Sequence, residues 1–549
     1  TQGYISSEDV PESVSKTLEY AYDDWCIARM IQAVGDKKAT PELGEQLRTF
    51  EGRSTNWRNL LDPATGFFRP RRNGGMLAPF DPYEVNFHFT EANAWHYSQF
   101  APHDMDALDR LRAKNGIASR PLLDSLFAPR SIPTGRQQAD ITGLIGQYAQ
   151  GNEPSHHMAY LYTRYGKPER TRALVKRILE EQYHDAPDGL SGNEDCGQMS
   201  AWYVMSALGF YPIAPGDPTY TFGYPLFSEA RIDLGKGNSF TVLVSDSTWA
   251  QIQAARPGGA QEQVAPEMAD GSGTRFLSRP STTIQHADLV RGGTLRFDRE
   301  RVGPSMPQVE KEDADRLVLM PPITPIIEAP YRVFRDSMEV RIISSGTPLV
   351  VLRTATDTAG SVYRGPFHIH ATTTVEASSA GSAKAIARFQ RMEGDHRIEL
   401  NTAFANQYAA GGTQALVDGL RGGNDFRTGE WQGFEGTDVS GMVDLGELKQ
   451  VERIGLSVLQ DQRAWVWYPS EVVIAWSANK RTWNTATVKN TVPRTAEAAQ
   501  HQELWTAPIN AKARYITITA KNAGPCPDWH PGKGGKTWIF SDEVLLDLK

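Results

Sequence analysis

The 549-residue sequence predicts a multidomain chain with an all-α first part and a string of all-β modules behind it. Three observations carry this. The length exceeds the ~100 to 200 residues of one domain, so about three or four modules are expected. Helical signals with recognisable starts and stops dominate as far as residue 222. Beyond it the sequence turns into short alternating runs separated by Gly, Ser and Asn, the texture of strands.

In chain order, SVSKTLEYAYDDWCIARMIQAVG carries Leu18, Tyr22, Trp25 and Ile27 to Met30 at helical spacing and ends at Gly35. TPELGEQLRTFEGRSTNWRNLLD opens with Thr40 and Pro41, a cap and first-turn pair. PERTRALVKRILEEQYHD and GQMSAWYVMSALGFYP follow, the latter stopped by Gly209 with Pro212 just beyond. Residues 1–222 are therefore read as a helical module. FSEARIDL, SFTVLVSD and GTLRFDRE mark a β region over 223–319. The Pro-rich MPPITPIIEAPYRVF opens a small β domain, 320–390, with SMEVRIIS, TPLVVLRT and TTTVEASSAG as strands. A last β module, 391–549, contains MVDLGELKQVERIGLSVL, SEVVIAWSANKRTW and ARYITITAKN and no long helix.

Composition narrows the function classes. A 40% hydrophobic and 10% aromatic content is that of a globular chain with real cores. A net charge of -8 with no run of Lys and Arg among aromatics speaks against nucleic acid. No apolar stretch approaches the ~18 to 20 residues of a membrane span. Cys26, Cys196 and Cys526 are too few and dispersed for a disulfide framework or zinc ribbon, and Cys26 and Cys196 are expected to be buried.

The chemistry concentrates in three loops, each ahead of a helix. NFHFTEANAWHYSQFAPHD puts Glu91 near Trp95 and Tyr97, where aromatic walls keep a carboxyl protonated, as a general acid requires. QGNEPSHH supplies Asn152, Glu153, His156 and His157, and GLSGNEDCGQMSAWY supplies Glu194 and Asp195. Oxygen donors from Asn, Glu and Asp suit calcium better than a transition metal. A single acid at a helix start is usually a cap or dipole partner. Three such loops, each rich in aromatics and His, point to a site instead. Trp202, Tyr203 and Leu161 read as core.

RSTNWRNLLDPATGFFRPR, EANAWHYSQFAPHD, GNEPSHHMAYLY and GNEDCGQMSAWYVMSALGFYPIAPGDPTY together resemble glycoside hydrolase family 92, the calcium-dependent exo-acting α-mannosidases, over roughly residues 3–300. The resemblance implies an (α/α)6 barrel and inverting hydrolysis of terminal α-mannosyl linkages. It implies Glu91 as general acid, Asp195 as general base, and Asn152 and Glu153 in a Ca2+ site that chelates mannose O2 and O3. Trp95, Gln150, His156, His157 and Asn193 are the implied sugar contacts. Asn193 stands where the family often has Asp, which leaves Asp195 without a carboxylate helper. Gln150 and Gly151 replace the His-Glu pair of α-1,2-cleaving members, so a non-α-1,2 or mannose-phosphate linkage is the alternative specificity.

The resemblance also implies an amino-terminal sandwich and about twelve barrel helices, whereas helices of ordinary length could supply only about half of these before residue 222. An amino-terminal companion segment is therefore expected, with 223–319 completing the catalytic module. Residues 320–390 resemble the chitobiase carboxy-terminal, Fn3-like domain. Residues 391–549 resemble the F5/8 type C, or discoidin, sandwich, a carbohydrate-binding candidate whose Trp431, Trp465 and Trp467 read as sugar platforms or as core. The family implies export to the periplasm or beyond. The rival reading, a catalytically inactive glycan-binding or adhesive protein, would be favoured by loss of Glu91 or Asp195, and both are present.

Overall fold

The structure, a computed structural model, describes residues 2–35, 40–128, 132–244, 264–269, 282–299, 322–344, 350–354, 359–392, 394–495 and 500–549. The chain divides into two compact units. One comprises Val14–Arg69 and Pro79–Pro321, the other Thr1–Ser13, Pro70–Ala78 and Pro322–Lys549. A continuous 1–222 module is thus interrupted twice, and the 319/320 boundary lies outside the described residues.

Eight α-helices precede residue 222 among the described residues: α1 (Ser13–Gly35), α2 (Pro41–Arg53), α3 (Ala94–Tyr97), α4 (Met105–Lys114), α5 (Ser119–Leu126), α6 (Leu161–Arg164), α7 (Pro168–Glu181) and α8 (Gln198–Ala207). Their ends follow local chemistry. Thr40 accepts a hydrogen bond from Leu43 N–H at 3.3 Å and Pro41 begins α2. Gly209, φ 93°, follows α8, where a left-handed residue closes a helix without Cβ strain. Trp57, Leu60, Phe68, Leu108, Tyr160, Leu161, Ile178 and Trp202 are all at or near zero exposure and form part of the apolar interior of the helical unit. A three-stranded sheet of Phe210–Tyr211, Thr219–Phe222 and Thr283–Gln285 follows α8. Beyond it a four-stranded sheet runs in the order Val264–Ala269, Gly293–Arg299, Asn238–Val244, Glu229–Gly235. This is the β region expected after residue 222, and it belongs to the helical unit.

The second unit holds two β modules. In the first, a three-stranded sheet (Ile326–Glu328, Met338–Ile343, Phe367–Ile369) and a five-stranded sheet share a core of Phe334, Val340, Ile342, Val375, Ala387 and Phe389. In the second, Val439–Gln460 is one 22-residue strand. It pairs with Ala511–Ala520, Trp538–Leu548 and Gln500–Trp505 in turn, through register shifts at Asp444/Lys449, Val451/Arg453 and Leu456/Val458 that let it bend. Trp431 and Trp467 are buried at 0% and 1%, so they are core, while Trp465 is 39% exposed.

Buried polar bonds tie the hairpin of Arg71–Arg72 and Gly75–Met76 to this unit. The Arg71 guanidinium, fully buried, donates to the carbonyls of Thr324, Pro325 and Gly74. A Cβ on Gly75 would lie 2.6 Å from Ile327 O, so only glycine permits that approach. Burial raises the Glu430 carboxyl pKa, but the Arg72 and Arg332 guanidiniums that clamp it outweigh burial and hold it below the usual range.

Candidate active site

The three expected loops all lie in the helical unit, and each positions its carboxylate by a different device. The first is tied to the start of α1: Val14 N–H donates to His88 O at 3.1 Å and Thr90 N–H to Ser15 Oγ at 2.8 Å. Glu91 follows with a left-handed backbone, φ 50°. Asn93, fully buried, then caps α3, its Oδ1 accepting from the N–H groups of Trp95 and His96 at 3.0 and 3.3 Å. Its Nδ2 donates to Gln147 Oε1 at 2.9 Å and to Tyr83 O at 3.3 Å. Four bonds from one side chain fix where α3 begins and hence where Glu91 stands, two residues upstream. Trp95 meets Phe67 edge-on at 4.7 Å, and its Nε1 is buried with no hydrogen-bond partner among the described residues.

The second loop is joined directly to the first: Asn152 Nδ2 donates to Glu91 O at 2.9 Å. Glu153 opens the 3-10 turn Glu153–Ser155. Burial pushes its carboxyl up; its own backbone N–H offsets part of this, and the nearby charges of Asp195 and Glu91 add to the rise. Glu153 therefore senses both other acids. Its Oε1 is buried with no hydrogen-bond partner among the described residues.

The third loop, Gly189–Gly197, carries three successive left-handed residues, Asp195 (φ 42°), Cys196 (φ 58°) and Gly197 (φ 84°). Glu194 is spent on structure, since its two oxygens accept from Ser200 N–H at 3.1 Å and Ser200 Oγ at 2.8 Å in the first turn of α8. Asp195 is left exposed. Cys196 is exposed too, against the expectation that it is buried, because the left-handed turn carries its side chain away from the α8 core; Cys26 is half-buried.

The remaining expected sugar contacts fall into two groups. Asn193 is exposed and donates to Asp140 Oδ1 at 3.4 Å, so a carboxylate lies beside the loop although residue 193 is amide. Gln150, His156 and His157 belong to the interior. Gln150 is fully buried, donating to Tyr183 OH at 2.7 Å and accepting from Tyr148 OH. His156 Nε2 meets Gln150 O at 2.9 Å, and a carbonyl only accepts, so that nitrogen carries the proton. Nδ1 is then the acceptor for Gln198 Nε2 at 3.2 Å. His157 Nε2 meets Gln99 O at 3.0 Å beside Phe100. Burial pushes both imidazoles down to about 4, so both are neutral at ordinary pH.

Two residues that sequence reasoning missed connect these loops. Thr142 Oγ1 donates to Ser191 O, and Gln198 reaches both His156 and Tyr211 OH, the latter at 3.0 Å. Gln198 stands within the GNEDCGQ motif; Thr142 carried no local signal. Gly151 lies at the same junction, where a Cβ would fall 2.0 Å from Thr142 Oγ1 and 2.2 Å from Ser191 O.

For a cation, no group of three or more His, Cys, Asp or Glu side chains is arranged to hold a metal among the described residues. Glu153 Oε1, beside Asn152, is buried with no hydrogen-bond partner among the described residues, and oxygen donors suit a hard cation better than a transition metal.

No described helix is long and apolar enough to cross a membrane. Among curated proteins the chain is similar to an uncharacterized secreted glycosidase of Arthroderma benhamiae, 26% identical over 331 residues, covering 54% of this chain and 37% of that protein. It spans little more than a third of that relative's length. Among solved structures it is similar to a family GH92 α-mannosidase of Bacteroides thetaiotaomicron, 30% identical, TM-score 0.47, covering 57% of this chain and 38% of that one. A carbohydrate-binding module from a family 31 glycoside hydrolase of Clostridium perfringens matches 28% of this chain and 91% of its own, at 13% identity and TM-score 0.21. Residues 1–300 match the glycosyl hydrolase family 92 catalytic domain, and the chain belongs to that family.

Proposed function

We propose that the chain carries the catalytic carboxylates of an inverting, calcium-dependent exo-α-mannosidase, within the (α/α)6 barrel expected of its family. What supports this reading is that Asn152, beside Glu153, donates to Glu91 O at 2.9 Å, that the charges of Asp195 and Glu91 both act on the Glu153 carboxyl, and that Glu91 and Asp195 stand on strained left-handed backbone. Such strain persists where surrounding structure enforces it, and it clusters at functional sites.

Glu91 holds the proton that passes to the glycosidic oxygen as the leaving group departs. Asp195 accepts a proton from the water that attacks the anomeric carbon from the opposite face. Inverting enzymes separate two such carboxyl groups by about 6.5 to 9.5 Å, which leaves room for that water. Asn152 and Glu153 are the residues that would hold calcium, whose charge, when bound, polarises the cis O2 and O3 hydroxyls of mannose and favours a flattened ring. Glu153 suits this role because a carboxylate raised by burial and by like charges gains most from a cation.

A linkage other than α-1,2 is favoured by one feature. Gln150 is buried and Gly151 is clamped against Thr142 and Ser191, so neither reaches out toward a leaving sugar. The substrate is a mannose-containing glycan met outside the cytoplasm, and the β modules of the second unit are candidates to hold it.

The test is kinetic, on folded protein together with any companion polypeptide. Glu91→Gln should lose most turnover on natural disaccharides and regain it on aryl mannosides whose leaving group needs no proton. Asp195→Asn should be inactive on both. Ordinary disaccharide turnover in either variant would remove that residue from its role.

A further inference from the structure

Asp195 sits in a segment that ought not to hold its shape unaided. Three consecutive left-handed residues, two of them with side chains, put Cβ atoms against the following carbonyls and are strained. The segment is exposed between Gly192 and Gly197 and has little packing of its own.

Inside it Glu194 accepts from Ser200, and Gln198 N–H donates to Asp195 O at 3.1 Å; the ties that fasten it to the rest of the unit lie at its two ends. At the entrance, Ser191 is gripped from both sides: its carbonyl accepts from Thr142 Oγ1, and its hydroxyl, with one proton to donate, lies 2.8 Å from Gln182 O and 2.7 Å from Gln182 Oε1. Gly151 and Gly192 make this grip possible, since a Cβ on Gly192 would lie 3.3 Å from the Gly151 Cα and 2.9 Å from Thr142 Oγ1. At the exit, Gln198 donates to His156 Nδ1 at 3.2 Å and to Tyr211 OH at 3.0 Å. His156 is itself fixed by Gln150 O and by Trp202 Nε1, which donates to the His156 carbonyl at 3.0 Å.

Each grip has one partner in the same stretch of chain, Thr142 for the first and His156 for the second. Thr142 and Gly151 flank the hairpin Leu144–Ile145/Tyr148–Ala149, and His156 follows Asn152 and Glu153 by a few residues. The loop that carries Asp195 is therefore stapled twice to the segment that carries Glu153.

We propose that Thr142 and Gln198 are positioning residues that hold Asp195 at a fixed place relative to Glu153, the Thr142 hydroxyl at the loop entrance and the Gln198 amide, through His156 Nδ1, at its exit. This rests on the reading of Asp195 as the base. Neither residue touches the sugar. Their effect is to keep a strained turn from relaxing between catalytic events, so their loss lowers the fraction of enzyme with the base in place.

Thr142→Val keeps shape and removes the donor, Thr142→Ser keeps the donor, and Gln198→Met removes both amide bonds. Two readouts separate the possibilities. Hydrogen exchange of the amides of 191–198, measured on the purified full-length enzyme, should quicken about tenfold or more in Thr142→Val and Gln198→Met with the rest of the helical unit unchanged. On a mannoside the same two variants should lose kcat by about tenfold or more with KM within about threefold, whereas Thr142→Ser stays near wild type on both measures.

Wild-type exchange in the Val and Met variants would overturn the staples whether or not the protein releases mannose. Faster exchange with unaltered kcat in an active enzyme would show that the staples do not position the base. A rise in KM at constant kcat would do the same. Exchange that quickens across the whole unit would assign both residues to general stability and also remove the proposal. If the wild type is inactive on mannosides, the base assignment fails while the exchange result still decides the staples.

Discussion

Asn93→Ala perturbs the helical unit at one defined place, with consequences that can be worked from its four hydrogen bonds. The substitution removes the acceptor for the second and third N–H groups of α3, those of Trp95 and His96, a capping loss of about 0.5 to 2 kcal/mol. It also removes donors to Gln147 Oε1 and Tyr83 O, and stripping a buried acceptor costs about 1 to 3 kcal/mol. The expected destabilisation is roughly 2 to 5 kcal/mol, shared between α3 and the loop that delivers Glu91. Native-state hydrogen exchange resolves one unit of a two-unit chain, so it is the appropriate assay; a single melting midpoint is not. Protection of the α3 amides should fall by that amount, and turnover should fall with it. Asn93→Asp keeps the cap acceptor and loses only the two donors, so its effect should be smaller. A loss below about 0.5 kcal/mol in Asn93→Ala would refute the idea that this side chain sets the position of Glu91.

His96, His156 and His157 are buried and held down to about 4, below the ~6.5 of an unfolded chain. The unfolded state binds more protons between those values, so each histidine should cost the helical unit up to about 1.4 kcal/mol of stability per pH unit as pH falls from ~6.5 toward 4. Urea unfolding at several pH values measures this, and the slope should shrink in His157→Phe. Glu153 has the opposite sign: its raised carboxyl binds a proton more readily in the folded state, so stability should fall as pH rises above the unfolded carboxylate value of ~4.3. Glu153→Gln should therefore raise the hydrogen-exchange protection of the helical unit above wild type in EDTA at neutral pH and gain less from added calcium; lower protection in EDTA would contradict the burial argument. In the second unit, Glu430→Ala leaves Arg72 and Arg332 without the carboxylate between them and should destabilise that unit by about 3 to 5 kcal/mol, read by hydrogen exchange. Little change would mean the ion cluster adds nothing.

Local signals were legible in the sequence wherever the physics is local. The span of α1 matches the sequence reading, although Ile27 and Met30, which the apolar spacing counted, are exposed at 41% and 66%; the start of α2 follows from Thr40 and Pro41, and the end of α8 from Gly209. The alternation in 439–460 announces strand, but not that one strand serves several partners, since the bends arise from register shifts against residues far along the chain. The hairpin at 71–76 was also out of reach: Arg71 finds its acceptors at Thr324 and Pro325, about 250 residues away, and no pattern around Arg71 advertises them. At the site, the carboxylates were visible because acids at helix entrances stand out against apolar surroundings. Which acid does what was less visible. Glu194 and Asp195 are adjacent in sequence, yet one caps α8 and the other stands on a left-handed turn. His156 and His157 are metal-capable by type, and burial with carbonyl partners turns both into neutral structural groups.

The most direct test is mannose release from a panel of α-linked mannobiosides and a mannosyl phosphodiester, using the purified protein with any companion polypeptide, in calcium and in EDTA, with the product anomer followed by NMR. The expected result is release of β-mannose that EDTA stops and calcium restores, strongest on a linkage other than α-1,2. Release indifferent to EDTA, or of the α-anomer, would contradict the calcium role or the inverting roles of Glu91 and Asp195, and no release from a sample with a complete barrel would favour a glycan-binding protein.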